Sequence, residues 1–249
     1  MRLIFILYFL FISLPASATE PPEPPMKLNW PFSGMFGTFD RQAAQRGFQV
    51  YKEVCHACHN LKHLSYIQLK GIGLSEAEIK ELAKQYTIKD GPNDEGEMFD
   101  RPARPSDMFV GPFPNEQAAR AANNGAHPVD LSLVIKARPD GANYVYSLLN
   151  GYVDPPEHFK LTSGLNYNLY FPGRQIAMPA PLTDNMVSYS DGTHASVEQM
   201  ARDVVIFLQW AAEPEMETRK SMGLKVMLFL IIFSVVGYIA KNRVWSKLK

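Results

Sequence analysis

Two long apolar runs lie near the two ends of this 249-residue chain, and the patterning between them is mixed. Near the C-terminus, Met222 to Ala240 is almost continuously apolar, with Lys225 its one charged residue. At ~1.5 Å rise per residue, ~20 such residues cross ~30 Å of hydrocarbon as a helix. A buried core helix has the same pattern, but it would not be followed at once by Lys241, Arg243, Lys247 and Lys249. Before this run, Ser196-Val197-Glu198-Gln199 starts an amphipathic helix that places Met200, Val204, Phe207, Leu208 and Ala211 on one face and ends before Pro214. Further helices are predicted from Asp40 to Tyr51, from the Ser75-x-x-Glu78 capping box to about Tyr86, from Asn115 to about Asn123 and from Asp140 to about Leu149. Gly125 and Gly151 follow the last two as stops. Residues 90–100, rich in Gly, Pro and carboxylates, read as a loop. Residues 152–195 read as irregular with a short hairpin at most. The expected class is mainly α: a helical domain with long irregular loops, wrapped around something that fills its core, plus one C-terminal transmembrane helix.

The first run, Leu3 to Leu14, is too short to span a bilayer comfortably. With Arg2 before it and Ala16-Ser17-Ala18 after it, it reads as a secretory signal, residues 1–18. A mitochondrial presequence would be amphipathic and rich in Arg and Ser. The expected organisation is a signal at 1–18, a periplasmic domain at 19–220, a span at 221–241 and a cytoplasmic tail at 242–249, its basic residues marking the inner side of a bacterial inner membrane. Pro21-Pro22-Glu23-Pro24-Pro25 is an extended lead, and Trp30 to Phe36 is an aromatic segment that packs on the domain or on a partner.

Formal net charge is zero, but its distribution is uneven. All 25 acidic residues and only 19 of the 25 basic ones lie between Thr19 and Lys220, so that domain carries a net of −6. Such a balance favours basic partners and argues against nucleic acid. Asp90, Asp94, Glu95, Glu97 and Asp100 concentrate it in one short loop, which either steers a basic partner or is simply solvated.

The chemistry centres on Cys55-His56-Ala57-Cys58-His59, a C-x-x-C-H motif that uses both cysteines of the chain. Thiols at i and i+3 share one face of a helical turn and can bond two vinyl groups of one porphyrin, and the adjacent imidazole can reach the iron. A thioredoxin-like pair would sit at a helix start after a strand, whereas here a helix leads into the motif. A structural zinc site needs two further ligands, and His63, His127, His158 and His194 are scattered. Covalent attachment of haem c explains the histidine that neither alternative needs. Iron of this kind often takes a methionine as second ligand. Among eleven methionines, Met178 stands out, because Ile176-Ala177-Met178-Pro179-Ala180-Pro181 is stiffened by prolines. Packing is the alternative role for a lone methionine.

The chain resembles the cytochrome c1 family. The likeness is carried by Arg46-Gly47-Phe48-Gln49-Val50-Tyr51 with the C-x-x-C-H, by Asp90 to Phe99, by Asn115-Glu116-Gln117-Ala118-Ala119-Arg120-Ala121-Ala122-Asn123-Asn124-Gly125-Ala126, by Pro128-Val129-Asp130-Leu131-Ser132, by Tyr144 to Leu149, by Ile176-Ala177-Met178 and by Met222-Gly223-Leu224-Lys225. It runs in order from about residue 28 to the end. Two departures are Pro179 straight after Met178, where the family has alanine, and Val129, where it often has a second proline. The resemblance implies one covalent haem c on Cys55 and Cys58, with His59 and Met178 as axial ligands. It places Arg138 near a haem propionate with Tyr144 close by, and makes Arg120 a further candidate for that role. The implied function is one-electron transfer in the cytochrome bc1 complex, from a Rieske iron–sulfur protein to a basic, transiently bound cytochrome c. The implied setting is a dimeric membrane complex with cytochrome b. A membrane-anchored cytochrome serving a terminal oxidase or dehydrogenase is the runner-up, and a haem sensor or peroxidase a third reading.

Overall fold

In this computed structural model, residues 21–247 are described; the expected signal segment, residues 1–18, lies outside them. Six helices carry the fold: α1 (Arg41–Glu53), α2 (Glu76–Ala83), α3 (Glu116–Ala122), α4 (Gly141–Asn150), α5 (Val197–Ala212) and α6 (Met216–Trp245). Two small antiparallel hairpins accompany them, β1 (Thr87–Asp90) with β2 (Phe99–Pro102), and β3 (Asn166–Tyr167) with β4 (Gln175–Ile176). The mainly α class with long loops is what the polar and apolar pattern leads one to expect.

Helix starts follow their caps. Asp40 accepts from Ala43 N, Ser75 from Glu78 N, Asn115 from Ala118 N and Ser196 from Gln199 N. Asp140 precedes α4 but does not cap it; it takes a left-handed conformation, and its carboxylate instead meets the Asn143 amide and Lys27. The acidic stretch is not a free loop. Its flanks pair as β1 and β2, and the register Thr87↔Pro102 to Asp90↔Phe99 leaves residues 91–98 as the tip.

α1 and α5 form the central pair, and Gly47 is why they approach so closely. A Cβ there would lie 2.0 Å from the Asp203 carbonyl oxygen. Beside it Arg46 donates twice to the fully buried Asp203 carboxylate, at 2.8 and 3.0 Å, and Gln199 donates once more at 3.0 Å. A buried carboxylate is tolerated because it is both paired and hydrogen-bonded. α5 is buried on nearly every side, not along the single face that its sequence predicts, because α1, α4 and the N-terminal segment enclose it. Phe48, Tyr51, Phe109, Phe207 and Trp210 fill the space between α1, α5 and the 66–72 turn with tilted and edge-on rings 5.4–6.3 Å apart.

The first part of the aromatic segment, Trp30 and Phe32, packs on this domain. Trp30 donates to Asn143 Oδ1 at 2.8 Å, lies against Phe32 and meets Tyr146 edge-on. α6 then leaves as one continuous helix with no break at 220/221; its apolar stretch is long enough to cross a membrane and is uncovered by the rest of the chain. Its first turns are tied to the domain: Glu217 accepts from Phe39 N and both arms of Arg41, and Lys220 donates to two backbone carbonyls.

Candidate haem site

α1 ends at Glu53 and the chain tightens at once into a 3-10 turn, Cys55–Ala57. The Cys55 carbonyl accepts from both Cys58 N (3.1 Å) and His59 N (2.8 Å). In a 3-10 turn residues i and i+3 eclipse, so Cys55 and Cys58 come to the same side. They are free thiols. Desolvation pushes the Cys55 thiol up to about 12. A thioredoxin-type pair depends instead on a lowered pKa at a helix N-terminus, and here the cysteines follow the C-terminal end of α1.

His59 is oriented by a backbone atom. Its Nδ1 lies 2.7 Å from the carbonyl oxygen of Val129. A carbonyl can only accept, so Nδ1 carries the proton and Nε2 keeps its lone pair. Burial lowers the pKa of the ring, which favours that neutral form. The segment supplying the carbonyl is bolted to the motif along its length. Leu131 N donates to Asn60 O at 2.8 Å, Lys62 N to Asp130 Oδ2 at 3.0 Å and His63 N to Ser132 Oγ at 3.1 Å. On the other side Tyr51, buried in the core, reaches His56 Nδ1 (3.2 Å) and the His59 carbonyl (3.3 Å), and Tyr86 packs edge-on against His56.

Met178 follows β4. The hairpin that carries it is stitched to the end of α4: Leu169 N donates to Gly151 O, and the fully buried Asn168 donates to Leu148 O. Tyr152, next after α4, donates to the Met178 carbonyl at 3.1 Å. Burial raises the pKa of Tyr152, with the neighbouring Tyr144 adding to the shift; Tyr144 in turn is raised by burial and opposed by the nearby Arg138 cation. Arg138 and Tyr144, and Tyr144 and Tyr152, thus lie within electrostatic range of each other, and of the three it is Tyr152 that bonds the Met178 backbone. Arg120 is placed differently. It is exposed on α3, where its guanidinium bonds Glu116 one turn back and the Gly125 carbonyl.

The residues present suit a covalent haem. Two free thiols share a turn, the next side chain presents an unprotonated imidazole nitrogen fixed by its other nitrogen, and the clamping segment leaves Val129 and Leu133 almost half exposed as apolar surface. Val129, Asp130 and Tyr152 act here through backbone atoms or on them. Only the order of residues in Pro128–Ser132 pointed to the first two, and nothing in the sequence marked Tyr152.

Comparison with known proteins agrees with this geometry. The family model described as "Cytochrome C1 family" matches residues 30–248. "Cytochrome c1" of Rhodospirillum rubrum is 46% identical over 94% of this chain and 92% of its own length. "Cytochrome b-c1 complex catalytic subunit, mitochondrial" of Candida albicans is 47% identical over 94% of this chain and 81% of its own. "Cytochrome b/c1" of Bradyrhizobium diazoefficiens is 47% identical over 93% of this chain, which spans only 37% of that longer protein. With a C-x-x-C-H turn, an oriented histidine and a matching family model across most of its length, the chain belongs to the cytochrome c1 family.

Proposed function

We propose that this chain is the c-type haem subunit of a cytochrome bc1 complex, taking single electrons from a Rieske iron–sulfur protein and giving them to cytochrome c. The observation that carries the reading is the His59 Nδ1–Val129 O bond, because it leaves Nε2 as a ready iron ligand. One haem c would be held by thioethers to Cys55 and Cys58, with His59 and Met178 as axial ligands. When bound, it supplies a one-electron iron couple; the side chains make and break no bonds in turnover. His59 is kept in one tautomer by Val129. Met178 is braced by Tyr152 and by the hairpin before it. Arg138, within electrostatic range of Tyr144, would offer a propionate carboxylate a cation. Arg120 would have to exchange Glu116 for a propionate to do the same.

The partner proposals rest on the relatives and on charge. One relative's name joins b and c1 and another's places it in the cytochrome b-c1 complex, which supports cytochrome b as neighbour; the dimeric membrane assembly follows from the family resemblance alone. The acidic domain would attract a basic cytochrome c in a transient, salt-sensitive encounter. We place the haem domain in the periplasm and the basic end of α6 in the cytoplasm of a bacterial cell, following the asymmetry of Lys241, Arg243 and Lys247.

Two measurements test this. Solubilised from native membrane, the chain should bring cytochrome b and a Rieske protein with it; co-purification with an oxidase or dehydrogenase instead would overturn the assignment. Its reduced spectrum should be that of low-spin haem that does not bind carbon monoxide. Ready binding would point to a sensor or peroxidase with an open sixth position.

A further inference from the structure

We propose that the turn from Gly34 to Gly37 inserts Met35 and Phe36 into the polar–apolar boundary of the lipid bilayer beside α6, giving the chain a second membrane contact. The proposal rests on α6 being the membrane anchor. Phe36 is 79% exposed and Met35 67%, the two most exposed large apolar side chains among the described residues. They exceed every large apolar side chain of α6, where the highest value is 64%. Exposure on this scale marks an interaction surface when the residues sit on a built element.

The turn is built. Phe32 and Phe39 flank it, both buried, with ring centroids 6.1 Å apart. Thr38 N closes it onto Pro31 O at 3.0 Å, and Gly34 takes φ +74°. Its position is set by α6 itself. Lys220 Nζ bonds the Phe32 carbonyl at 2.7 Å and the Gly37 carbonyl at 3.1 Å, spanning the mouth of the turn, and Phe39 N bonds Glu217 at 2.6 Å. The apolar run begins two residues after Lys220, at Met222, about 3 Å farther along the helix axis. Headgroup layers are about 5–7 Å deep on each side of the hydrocarbon. The mouth of the turn is therefore held at the depth of the headgroups, with Leu224 of the apolar run one helical turn beyond Lys220 on the same face. Aromatic and long apolar side chains at this depth bury themselves against acyl chains without leaving backbone polar groups in the hydrocarbon. The bonds of Phe32, Gly37 and Phe39 to the first turns of α6, just ahead of its apolar run, favour lipid over the surface of another subunit.

Spin labelling tests the idea. Phe36→Cys carries a nitroxide in the complete membrane complex, reconstituted in phosphatidylcholine vesicles, with the unsubstituted complex labelled in parallel and subtracted. Met35→Cys serves as the second site and Asp94→Cys, at the exposed hairpin tip, as the aqueous control. At positions 35 or 36 the label should collide several-fold more often with oxygen, which partitions into lipid, than with a water-soluble nickel chelate, and Asp94→Cys should show the reverse. Nickel collision at both positions equal to that at Asp94→Cys would overturn the proposal. So would shielding of both from both reagents, since that is the signature of burial against a protein partner.

Discussion

His59 is a ligand candidate because of what its other nitrogen does. Its spacing from the two cysteines makes it available, and the 2.7 Å bond to the Val129 carbonyl settles which tautomer it presents. The first fact is written in the order of residues. The second is not, because a backbone carbonyl has no side chain to announce it; only folding brings residue 129 against residue 59. Met178 is the converse case. Its prolines make a stiff loop legible in the sequence, yet the Tyr152 hydroxyl that holds its carbonyl comes from 26 residues earlier. Replacing Met178 by Leu keeps the bulk and removes the sulfur. Haem should stay attached, since Cys55 and Cys58 are untouched, while the potential falls by on the order of 0.1 V or more and the reduced form gains carbon monoxide binding. Redox titration of the purified variant checks this, and an unchanged potential would reject Met178 as the ligand.

At the scale of elements, the caps made the helix starts legible, and the tertiary contacts decided what the caps could not. The hairpin of β1 and β2 hid inside an acidic, glycine-rich stretch, because pairing depends on Arg101, which draws in Asp90 and Asp107 and neutralises its own flank. α5 looked one-sided because Asp203 and Gln209 are polar, yet Asp203 is buried against Arg46. Gly47 belongs to this contact. Gly47→Ala would set a methyl 2.0 Å from the Asp203 carbonyl, forcing α1 and α5 apart at a cost of about 1–3 kcal/mol. Thermal unfolding of the holoprotein should show a clearly lower midpoint, whereas a midpoint unchanged from the parent would mean the helices have slack there. Arg46 also reaches Asp191, whose carboxyl is held down from 3.8 to about 2 by Thr193 first and Arg46 after it. A depressed folded pKa stabilises the native state at pH above about 3.8 and loses that contribution as pH falls towards 2. In urea titrations across that window Asp191→Asn should flatten the acid dependence of stability; an unaltered slope would show that this carboxylate does not contribute.

Across the whole molecule, the charge imbalance seen in the sequence acquires a direction. Ala103 N closes the base of the acidic hairpin onto the Tyr86 carbonyl, and the Tyr86 ring lies against His56 inside the haem-binding motif, with centroids 5.5 Å apart. The exposed tip carrying Asp94, Glu95 and Glu97 therefore belongs to a hairpin rooted next to the haem turn. A negative field on that hairpin would draw the basic cytochrome c of the proposed function towards the domain that carries the haem turn. An ordinary solvated tip would have the same backbone, so kinetics must separate the two. Changing Asp94→Asn, Glu95→Gln and Glu97→Gln together halves the domain's net charge of −6 without touching the Arg101 pairs that hold the hairpin closed. The second-order rate of cytochrome c reduction by the triple variant should fall several-fold at low ionic strength, where the screening length is ~30 Å, and converge on the parent's rate as salt shortens that length to a few ångströms. The slope of log rate against ionic strength should flatten as well. Equal rates and equal slopes for variant and parent would show that the hairpin does no steering and that the imbalance acts, if at all, from elsewhere on the domain.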